Sequence, residues 1–358
     1  MNQTPPTVQA PVKRRRARVR LAAVVSLSLA GAGISLTARP APAPQELVWP
    51  QPPDPARVRF VTSIGSPRDI GATGSWLARA AAVLAGRKRQ PSVLRPRGLA
   101  TDAAGRLLIA DPDQRMVHVM DIAGRKYSYL EPAPFLSPVG LAVGADQSIY
   151  VSDSGQRRIY RYRPDGRLRA TLGVVNGEAV FARPTGLAVT PGGDLLVVDT
   201  VGCHVVQMSP GGVILRSFGR RGSGPGEFNY PTDIAVSRDG RILVVDSMNA
   251  RIQVFEADGG LVGEFGRRGN GTGDFDKPKG VALDSDGHVY VAEAMHDVVQ
   301  VFDDAGRLLL VVGRSGEGAG EFSLPSAVHI DASNRIFVAD ALNGRVQVFQ
   351  YVSRPDAP

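Results

Sequence analysis

The chain has 358 residues, a formal net charge of +8 and a pI near 9.9. Residues 1–39 hold seven Lys/Arg and no acidic residue, so the rest of the chain is almost neutral, with 35 basic and 34 acidic residues. The charge excess therefore belongs to the amino-terminal tail, and the composition does not favour a nucleic-acid-binding protein. A single cysteine, Cys203, excludes an internal disulfide.

The first 56 residues follow the order of an export signal. Residues 1–20 form a basic tail, Leu21 to Leu36 is apolar and uncharged, and residues 38–56 form a linker rich in proline and alanine. Sixteen apolar residues are fewer than the roughly 20 of a full membrane span, so the segment 21–37 is predicted to be a cleaved signal or a transmembrane anchor. In both cases the basic tail stays in the cytosol, and the rest is exported to the periplasmic or extracytoplasmic side.

A basic insert, residues 66–95, separates the first predicted strand from the repeats. Within it, Ser75 to Ala85 is rich in alanine and places Trp76, Ala80 and Leu84 at helical spacing. We predict a short helix that packs on the folded domain and is solubilised by its charges. The alternative is a lid, or a contact for anionic lipid or a partner.

Six repeats begin at Pro96. Each repeat has a proline followed fifteen residues later by an acidic residue, and successive prolines are 42, 46, 47, 47 and 47 residues apart, which is typical of propeller blades of four short strands. The sequence therefore predicts an all-β, six-bladed propeller over residues 57–352, followed by a tail, 353–358. The proline and acid pairs that open the blades are Pro96/Asp111, Pro138/Asp153, Pro184/Asp199, Pro231/Asp246, Pro278/Glu293 and Pro325/Asp340.

The last repeat is too short to complete a blade. After Gln347-Val348-Phe349 only nine residues remain, which cannot form a fourth strand. Residues 57–65 match the pattern of an outer strand followed by glycine. We predict that this early strand closes the ring by pairing with the last blade, and such closure removes exposed strand edges.

Glycine-rich segments connect the later repeats and share one pattern: Arg220 to Phe228, Arg267 to Phe275 and Arg314 to Phe322. Together with the Pro-x-Gly-Leu-Ala openings and the Asp-x-x-Asn-x-Arg turn at Asp246 to Arg251, they resemble NHL repeats over residues 57–350. The resemblance implies a six-bladed β-propeller of the exported or membrane-anchored bacterial type.

The six repeated acidic residues are predicted to be structural. Carboxylates at strand ends bond to backbone N–H groups of turns, and Arg158, Arg251 and Arg345 are expected as their local partners. A ring of carboxylates that binds a metal is the alternative.

Catalytic chemistry is not evident in the sequence. In the first two positions after each opening proline only Asp233 is acidic, and the glycines there indicate close backbone approach near the axis rather than calcium ligands. No Gly-x-Ser-x-Gly motif is present, and the histidines occupy different positions in their repeats: His118, His204, His288, His296 and His329. We predict no catalytic residue, no metal site and no cofactor, with calcium or zinc as the alternative.

A cationic upper rim is the candidate binding surface, made of Arg220, Arg221, Arg267, Arg268, Arg314, Lys277 and Lys279. The alternative is a solvated mixed surface neutralised by Glu227, Asp274, Asp276, Glu317 and Glu321. The sequence thus favours a non-catalytic scaffold on the outer side of the cytoplasmic membrane, which recognises a protein or a cell-envelope polysaccharide through its upper-face loops. Two alternatives remain, a metal-dependent lyase or hydrolase on the propeller and a structural subunit of an envelope complex.

Overall fold

The computed structural model describes residues 46–72, 92–131 and 133–353. The predicted basic tail, the signal or anchor segment and the insert helix at 75–85 lie outside the described residues. Among the described residues, no helix is long and apolar enough to cross a membrane.

Six antiparallel sheets form the blades of a β-propeller, as predicted. The chain begins with two strands that belong to the last blade, β1 (Val48–Trp49) and β2 (Val58–Ile64). Blade 1 follows with β3 (Gly98–Thr101), β4 (Leu107–Asp111), β5 (Met116–Asp121) and β6 (Lys126–Tyr129). Blade 2 contains β7 (Pro138–Val143), β8 (Ile149–Asp153), β9 (Arg158–Tyr162) and β10 (Leu168–Leu172). A small ribbon then pairs β11 (Val174–Val175) with β12 (Glu178–Ala179).

The remaining blades repeat this arrangement. Blade 3 contains β13 (Pro184–Val189), β14 (Leu195–Asp199), β15 (His204–Met208) and β16 (Ile214–Phe218). Blade 4 contains β17 (Pro231–Val236), β18 (Ile242–Asp246), a 3₁₀ turn (Ser247–Asn249), β19 (Arg251–Phe255) and β20 (Leu261–Phe265). Blade 5 contains β21 (Pro278–Leu283), β22 (Val289–Glu293), β23 (Val298–Phe302) and β24 (Leu308–Val312). Blade 6 contains β25 (Pro325–Ile330), β26 (Arg335–Asp340) and β27 (Arg345–Tyr351).

The residue composition of each strand explains how deeply it is buried in its blade. The second strand of blade 4, β18, is a continuous aliphatic run whose residues are all buried, whereas the outermost strand, β20, alternates between more and less exposed residues. Hydrophobic side chains from facing sheets cluster between neighbouring blades. The core is therefore divided into sectors around the axis rather than gathered in one centre.

The fifteen-residue spacing is the length of the first hairpin of a blade. Antiparallel pairing sets Pro138 opposite Asp153, and the same register recurs in blades 3 to 6. In blade 1 the first strand starts later, at Gly98, so Pro96 precedes it. The repeat seen in the sequence thus reflects a conserved register between the first and second strands.

The inner strands contact one another in chain order, and β25 contacts β3 to complete the circle. A side chain at Gly98 or Gly140 would overlap a carbonyl oxygen of the next inner strand, and a Cβ at Gly280 would lie 2.7 Å from the Cα of Ala327. The predicted reason for these glycines, close backbone approach near the axis, is confirmed.

Gly140→Ala should therefore destabilise the ring by about 2 kcal/mol or more, because the new Cβ would overlap the Thr185 carbonyl and lie 2.6 Å from Ser152 Oγ. The matched control is Gly263→Ala on β20, whose Cβ would meet no atom within 4 Å. Urea unfolding of both variants measures the difference. Equal stabilities would show that the inner strands can separate without cost.

The last blade is completed by the amino-terminal strands. β2 pairs with β27, with Phe60 opposite Phe349 and Ile64 opposite Val346, and β1 pairs with β2. The ring of Phe349 lies 5.6 Å from both Phe60 and Trp49, measured between centroids. Strands that are far apart in the chain therefore share one aromatic cluster at the closure.

Candidate functional site: the axial cavity

A cavity of about 610 Å³ lies on the axis, where residues from all six blades line it. This volume is in the range of small-molecule sites. Its charged lining residues are four basic ones and two acidic ones, which leaves a formal excess of two positive charges: Arg95, Arg97, Arg183, Lys279, Asp113 and Asp233. The cavity is thus cationic, although the chain beyond residue 39 is almost neutral.

The four cations flank the opening prolines of alternate blades. Arg95 and Arg97 surround the proline of blade 1, Arg183 precedes that of blade 3, and Lys279 follows that of blade 5. Arg95 lies 3.7 Å from a carboxylate oxygen of Asp113. Within the described residues, the side chains of Arg97, Arg183 and Lys279 form no ion pair or hydrogen bond.

Repulsion from neighbouring cations acts on the half-buried Lys279 and on the more exposed Arg97. Desolvation lowers the pKa of Lys279, and the neighbouring Arg97 and Lys277 lower it further, while Glu293 opposes them. Desolvation likewise lowers the pKa of Arg97, with Arg95 as the next cause. The cavity therefore concentrates positive charge that Asp113 and Glu293 only partly offset.

Asp233 occupies the position where four other blades have glycine. Its Oδ2 accepts a hydrogen bond from the backbone N–H of Val281 on the next blade at 3.1 Å. Desolvation raises the pKa of Asp233 to about 7, although backbone hydrogen bonds from Val281 and Ile234 oppose that rise. A half-buried carboxyl with this pKa can take up and release a proton at neutral pH, as a general base requires.

Hydroxyl groups also line the cavity, from residues that directly follow two of the repeated acidic residues, Asp199 and Asp246, in the sequence. The Thr200 hydroxyl lies 2.7 Å from that of Thr185 and donates to the carbonyl of Pro231 at 2.6 Å. Ser247 holds the equivalent position in blade 4, and its buried Oγ has no hydrogen-bond partner among the described residues. One hydroxyl of the lining is thus left unsatisfied.

The six repeated acids lie outside this chemistry, because they are almost fully buried and bonded to backbone. Asp199 accepts from the N–H groups of Ala182 and Arg183 at 2.6 and 2.8 Å. The others accept in the same way from the segment that precedes their own proline: Asp111, Asp153, Asp246, Glu293 and Asp340. These bonds hold the connection between blades, which is a structural role.

The predicted arginine partners are present in only two of three cases. Arg251 Nε lies 2.9 Å from Asp246, and Arg345 Nε lies 2.7 Å from Asp340. The prediction for Arg158 was wrong, because its Nε donates instead to the carbonyl of Gln156 at 3.1 Å.

The histidines do not converge. His118 Nδ1 lies 3.1 Å from the Tyr127 hydroxyl, His288 bonds to Asp284 at 2.8 Å, and His329 Nε2 lies 2.9 Å from Thr101 Oγ1. Desolvation lowers the pKa of His329 to about 4, so it is neutral at physiological pH.

The donor set of the axial cavity does not suit the predicted alternative metals, calcium and zinc. Among the described residues, no three His, Cys, Asp or Glu side chains are close enough to hold a metal ion. The cavity presents four cations and only two carboxylates, whereas calcium requires six or more oxygen ligands. These residues therefore fit an anion better than a divalent cation.

The predicted rim cations are mostly engaged in their own loops. Arg220, Arg267 and Arg314 lie 2.9, 2.8 and 2.7 Å from a carboxylate of the same glycine-rich segment. Arg268 pairs with Asp276 at 3.0 Å, and Arg221 donates to the carbonyl of Val201. Of the seven predicted rim residues, only Lys279 lines the axial cavity.

Sequence reasoning missed Arg95, Arg97, Arg183 and Ser247 as site residues, and it considered Asp233 only as a calcium ligand. A signal was present. Basic residues directly before or after the opening proline occur only in repeats 1, 3 and 5, which is visible once the repeats are aligned on their prolines.

The architecture defines the protein as a six-bladed β-propeller, and residues 282–353 match a sequence family described by that name. Residues 98–315, more than half of the chain, match the SMP-30/Gluconolactonase/LRE-like region. The chain belongs to that family. A comparison with curated proteins found no significant match.

Several solved structures share the fold at low sequence identity. A gluconolactonase from Xanthomonas campestris is 19% identical, with 88% of this chain and 100% of that chain covered and a TM-score of 0.58. A virginiamycin B lyase from Staphylococcus aureus is 15% identical, with coverage of 72% and 95% and a TM-score of 0.54. A protein of unknown function from Bacteroides thetaiotaomicron is 16% identical, with coverage of 82% and 75% and a TM-score of 0.61.

These comparisons correct the functional prediction. The sequence favoured a non-catalytic binding scaffold, and that prediction is wrong, because the chain belongs to a family of gluconolactonase-like propellers and its fold is shared with lyases. The enzyme alternative is the better one. The sequence analysis considered only metal ligands on the axis, whereas the charged residues that line the cavity are four cations and two carboxylates.

Proposed function

We propose that this protein is a lyase or hydrolase whose substrate binds in the axial cavity and whose acid–base group is Asp233. The observation that carries this proposal is the placement of Asp233 in a cationic cavity. A carboxyl whose pKa is about 7 is half ionised at neutral pH, so it can both accept and return a proton during one turnover.

The chain's own groups supply what both reaction types need. In hydrolysis, the Asp233 carboxylate takes a proton from water as the water oxygen bonds to the substrate carbonyl carbon, and the proton then passes to the leaving oxygen. In elimination, the same carboxylate takes a proton from carbon, the electron pair forms the new double bond, and the leaving group departs with its electrons. Both pathways build negative charge on the substrate, which the neighbouring cations stabilise.

An assay can separate the two reactions. Purified protein is incubated with δ-gluconolactone and, separately, with substrates that eliminate a β-oxygen next to a carboxylate. Acid release without a new double bond indicates a hydrolase, and absorbance from a new carbon–carbon double bond indicates a lyase. Turnover of neither class, or turnover unchanged in Asp233→Asn, would overturn the proposal.

We further propose that the enzyme is exported and works outside the cytoplasmic membrane. Support comes from the order of basic, apolar and proline-rich residues in 1–56 and from the NHL-like motifs quoted above. The predicted protein or cell-envelope polysaccharide partner then becomes a candidate substrate. The mass of the protein recovered from the envelope distinguishes a cleaved signal from a retained anchor.

A further inference from the structure

We propose that the axial cavity binds a small anion with at least two negative charges, held by Arg97, Arg183 and Lys279 and by the hydroxyl of Ser247. Describing this anion as the substrate, or the charged part of it, rests on the proposed function. The anion site itself rests only on the geometry and charge of the cavity.

The arrangement of the blades makes the three cations converge. The inner strands form a closed circle, and the cations come from blades 1, 3 and 5, so each is separated from the next by one blade that contributes no cation to the cavity lining. Positive groups therefore approach the axis from three sides. A ligand on the axis can contact all three at once, which a ligand on one side of the cavity cannot.

A contrast within this chain shows that the axial charges are available. Arg220, Arg267 and Arg314 on the upper rim each have a carboxylate within 3 Å. Arg97 and Arg183 have no such partner among the described residues, and they are the same residue type on the same face of the ring. The fold pairs the rim arginines with acids and leaves the axial ones for a ligand.

Repulsion among these cations points to an anion as that ligand. Arg97 and Arg183 both lower the pKa of Lys279, and Arg183 lowers that of Arg97. Like charges that are brought together and partly desolvated raise the free energy of the empty site. An anion that enters removes that repulsion and replaces the lost solvation with charge-assisted hydrogen bonds.

Ser247 is the independent observation. Ser154, Thr200 and Ser247 follow the structural acids of blades 2, 3 and 4, and the first two bond to other protein groups, Ser154 to Ser137 at 3.1 Å. Ser247 is 1% exposed and lines the cavity, and its hydroxyl has no hydrogen-bond partner among the described residues. A buried donor without a partner costs stability unless a water molecule or a ligand accepts its hydrogen bond, and a ligand oxygen in the cavity can take that place.

The number of donors sets the charge of the ligand. Each guanidinium offers a fork of two N–H groups, and the ammonium and the hydroxyl add further donors. A single carboxylate has two oxygens and cannot satisfy them all. A phosphate group or a molecule with several carboxylates supplies enough acceptor oxygens and enough charge, and the cavity of about 610 Å³ limits either one to a small molecule.

Titration calorimetry with the full chain tests this proposal, with inorganic phosphate, citrate and acetate as probes at constant ionic strength. We expect phosphate or citrate to bind saturably and acetate to bind at least about tenfold more weakly. Saturable binding of phosphate alone indicates a phosphorylated substrate, and binding of citrate alone indicates a polycarboxylate. Absence of saturable binding by both, or equal binding of acetate, would overturn the proposal.

Variants locate the site. Lys279→Gln and Arg183→Gln should each weaken binding of the better anion by about tenfold or more, and Ser247→Ala by about threefold to tenfold. The control is Arg267→Gln on the rim, which should stay within about twofold. Thermal melting without ligand verifies that each variant folds. A similar loss in the rim variant would show that the anion responds only to overall charge.

The same measurements separate this inference from the proposed function. Asp233→Asn should keep the anion affinity within a fewfold or improve it, because the substitution removes a negative charge from the cavity. Anion binding without turnover of any substrate would leave the site in place and remove the enzyme proposal. Turnover that depends on Asp233 but not on Lys279, Arg183 or Ser247 would support the enzyme proposal and overturn the anion site.

Discussion

Asp233→Asn is expected to lower turnover by about 100-fold to 10,000-fold, the range for loss of a general base. The asparagine amide keeps the size of the side chain, and its oxygen can still accept the hydrogen bond from Val281. The loss should therefore appear in kcat rather than in substrate affinity. The control is Asp239→Asn, which removes a carboxylate from a surface turn, where it pairs with Arg241, and it should leave turnover unchanged.

The pH profile provides a second test of Asp233. Because a general base must be deprotonated, activity should rise with pH, reach half its maximum near pH 7 and then level off. In Asp233→Asn the residual activity should lack this step. A wild-type profile that is flat between pH 5 and 9 would exclude Asp233 as the base.

Stability should change in the opposite direction to activity. The pKa of Asp233 is raised in the folded protein, so the native state binds this proton more tightly than the unfolded chain does. The stabilisation that comes from the bound proton is lost as pH rises from about 4 through 7. Above pH 7 the ionised, desolvated carboxylate weakens the fold. Asp233→Asn should therefore raise the free energy of unfolding at pH 8, by about 1–3 kcal/mol, and change it little at pH 3.

Removal of residues 46–65 is expected to prevent stable folding of the propeller, a loss of more than about 5 kcal/mol. This deletion removes β1 and β2, exposes the edge of β27 and takes away the buried side chains of Val58 and Ile64. An open ring would present an unpaired strand edge and one uncovered sector of the core, so aggregation should follow.

The comparison variant lacks only residues 1–45 and should melt like the full chain, because it keeps both strands of the closure. Circular dichroism, thermal melting and gel filtration measure the outcome. Phe349→Ala is a milder form of the same test and should cost about 3–5 kcal/mol, because this ring is buried against Trp49 and Phe60. A monomeric, cooperatively melting protein without residues 46–65 would show that the ring does not need its closing strands.

Much of the fold could be predicted because the features of a blade are local. The spacing of Pro184 and Asp199 is the length of one hairpin, and the aliphatic run of β18 sets the strand that is buried on both faces. The candidate site was harder to predict. Arg97, Arg183 and Lys279 are separated by more than 80 residues of sequence, and each by itself resembles an ordinary exposed basic residue of a loop.

Charge pairing could be read from the sequence only where the partner lies in the same loop. Arg267 and Arg183 are both arginines near a blade opening, yet Arg267 lies 2.8 Å from Asp274, whereas Arg183 meets no carboxylate among the described residues. The carboxylate that pairs with Arg267 belongs to Asp274, seven residues ahead in the same loop. No such neighbour determines the environment of Arg183, which depends on what other blades bring to the axis.

The amino-acid sequence by itself determined the number of blades and the buried strands, because hydrophobic periodicity, turn residues and register act over fewer than 50 residues. Only the tertiary structure decided which side chains share the axial cavity, which charges remain unpaired and that Asp233 is desolvated. These properties arise when distant repeats close into a circle, since burial and Coulomb interaction depend on distance in space and not on separation along the chain.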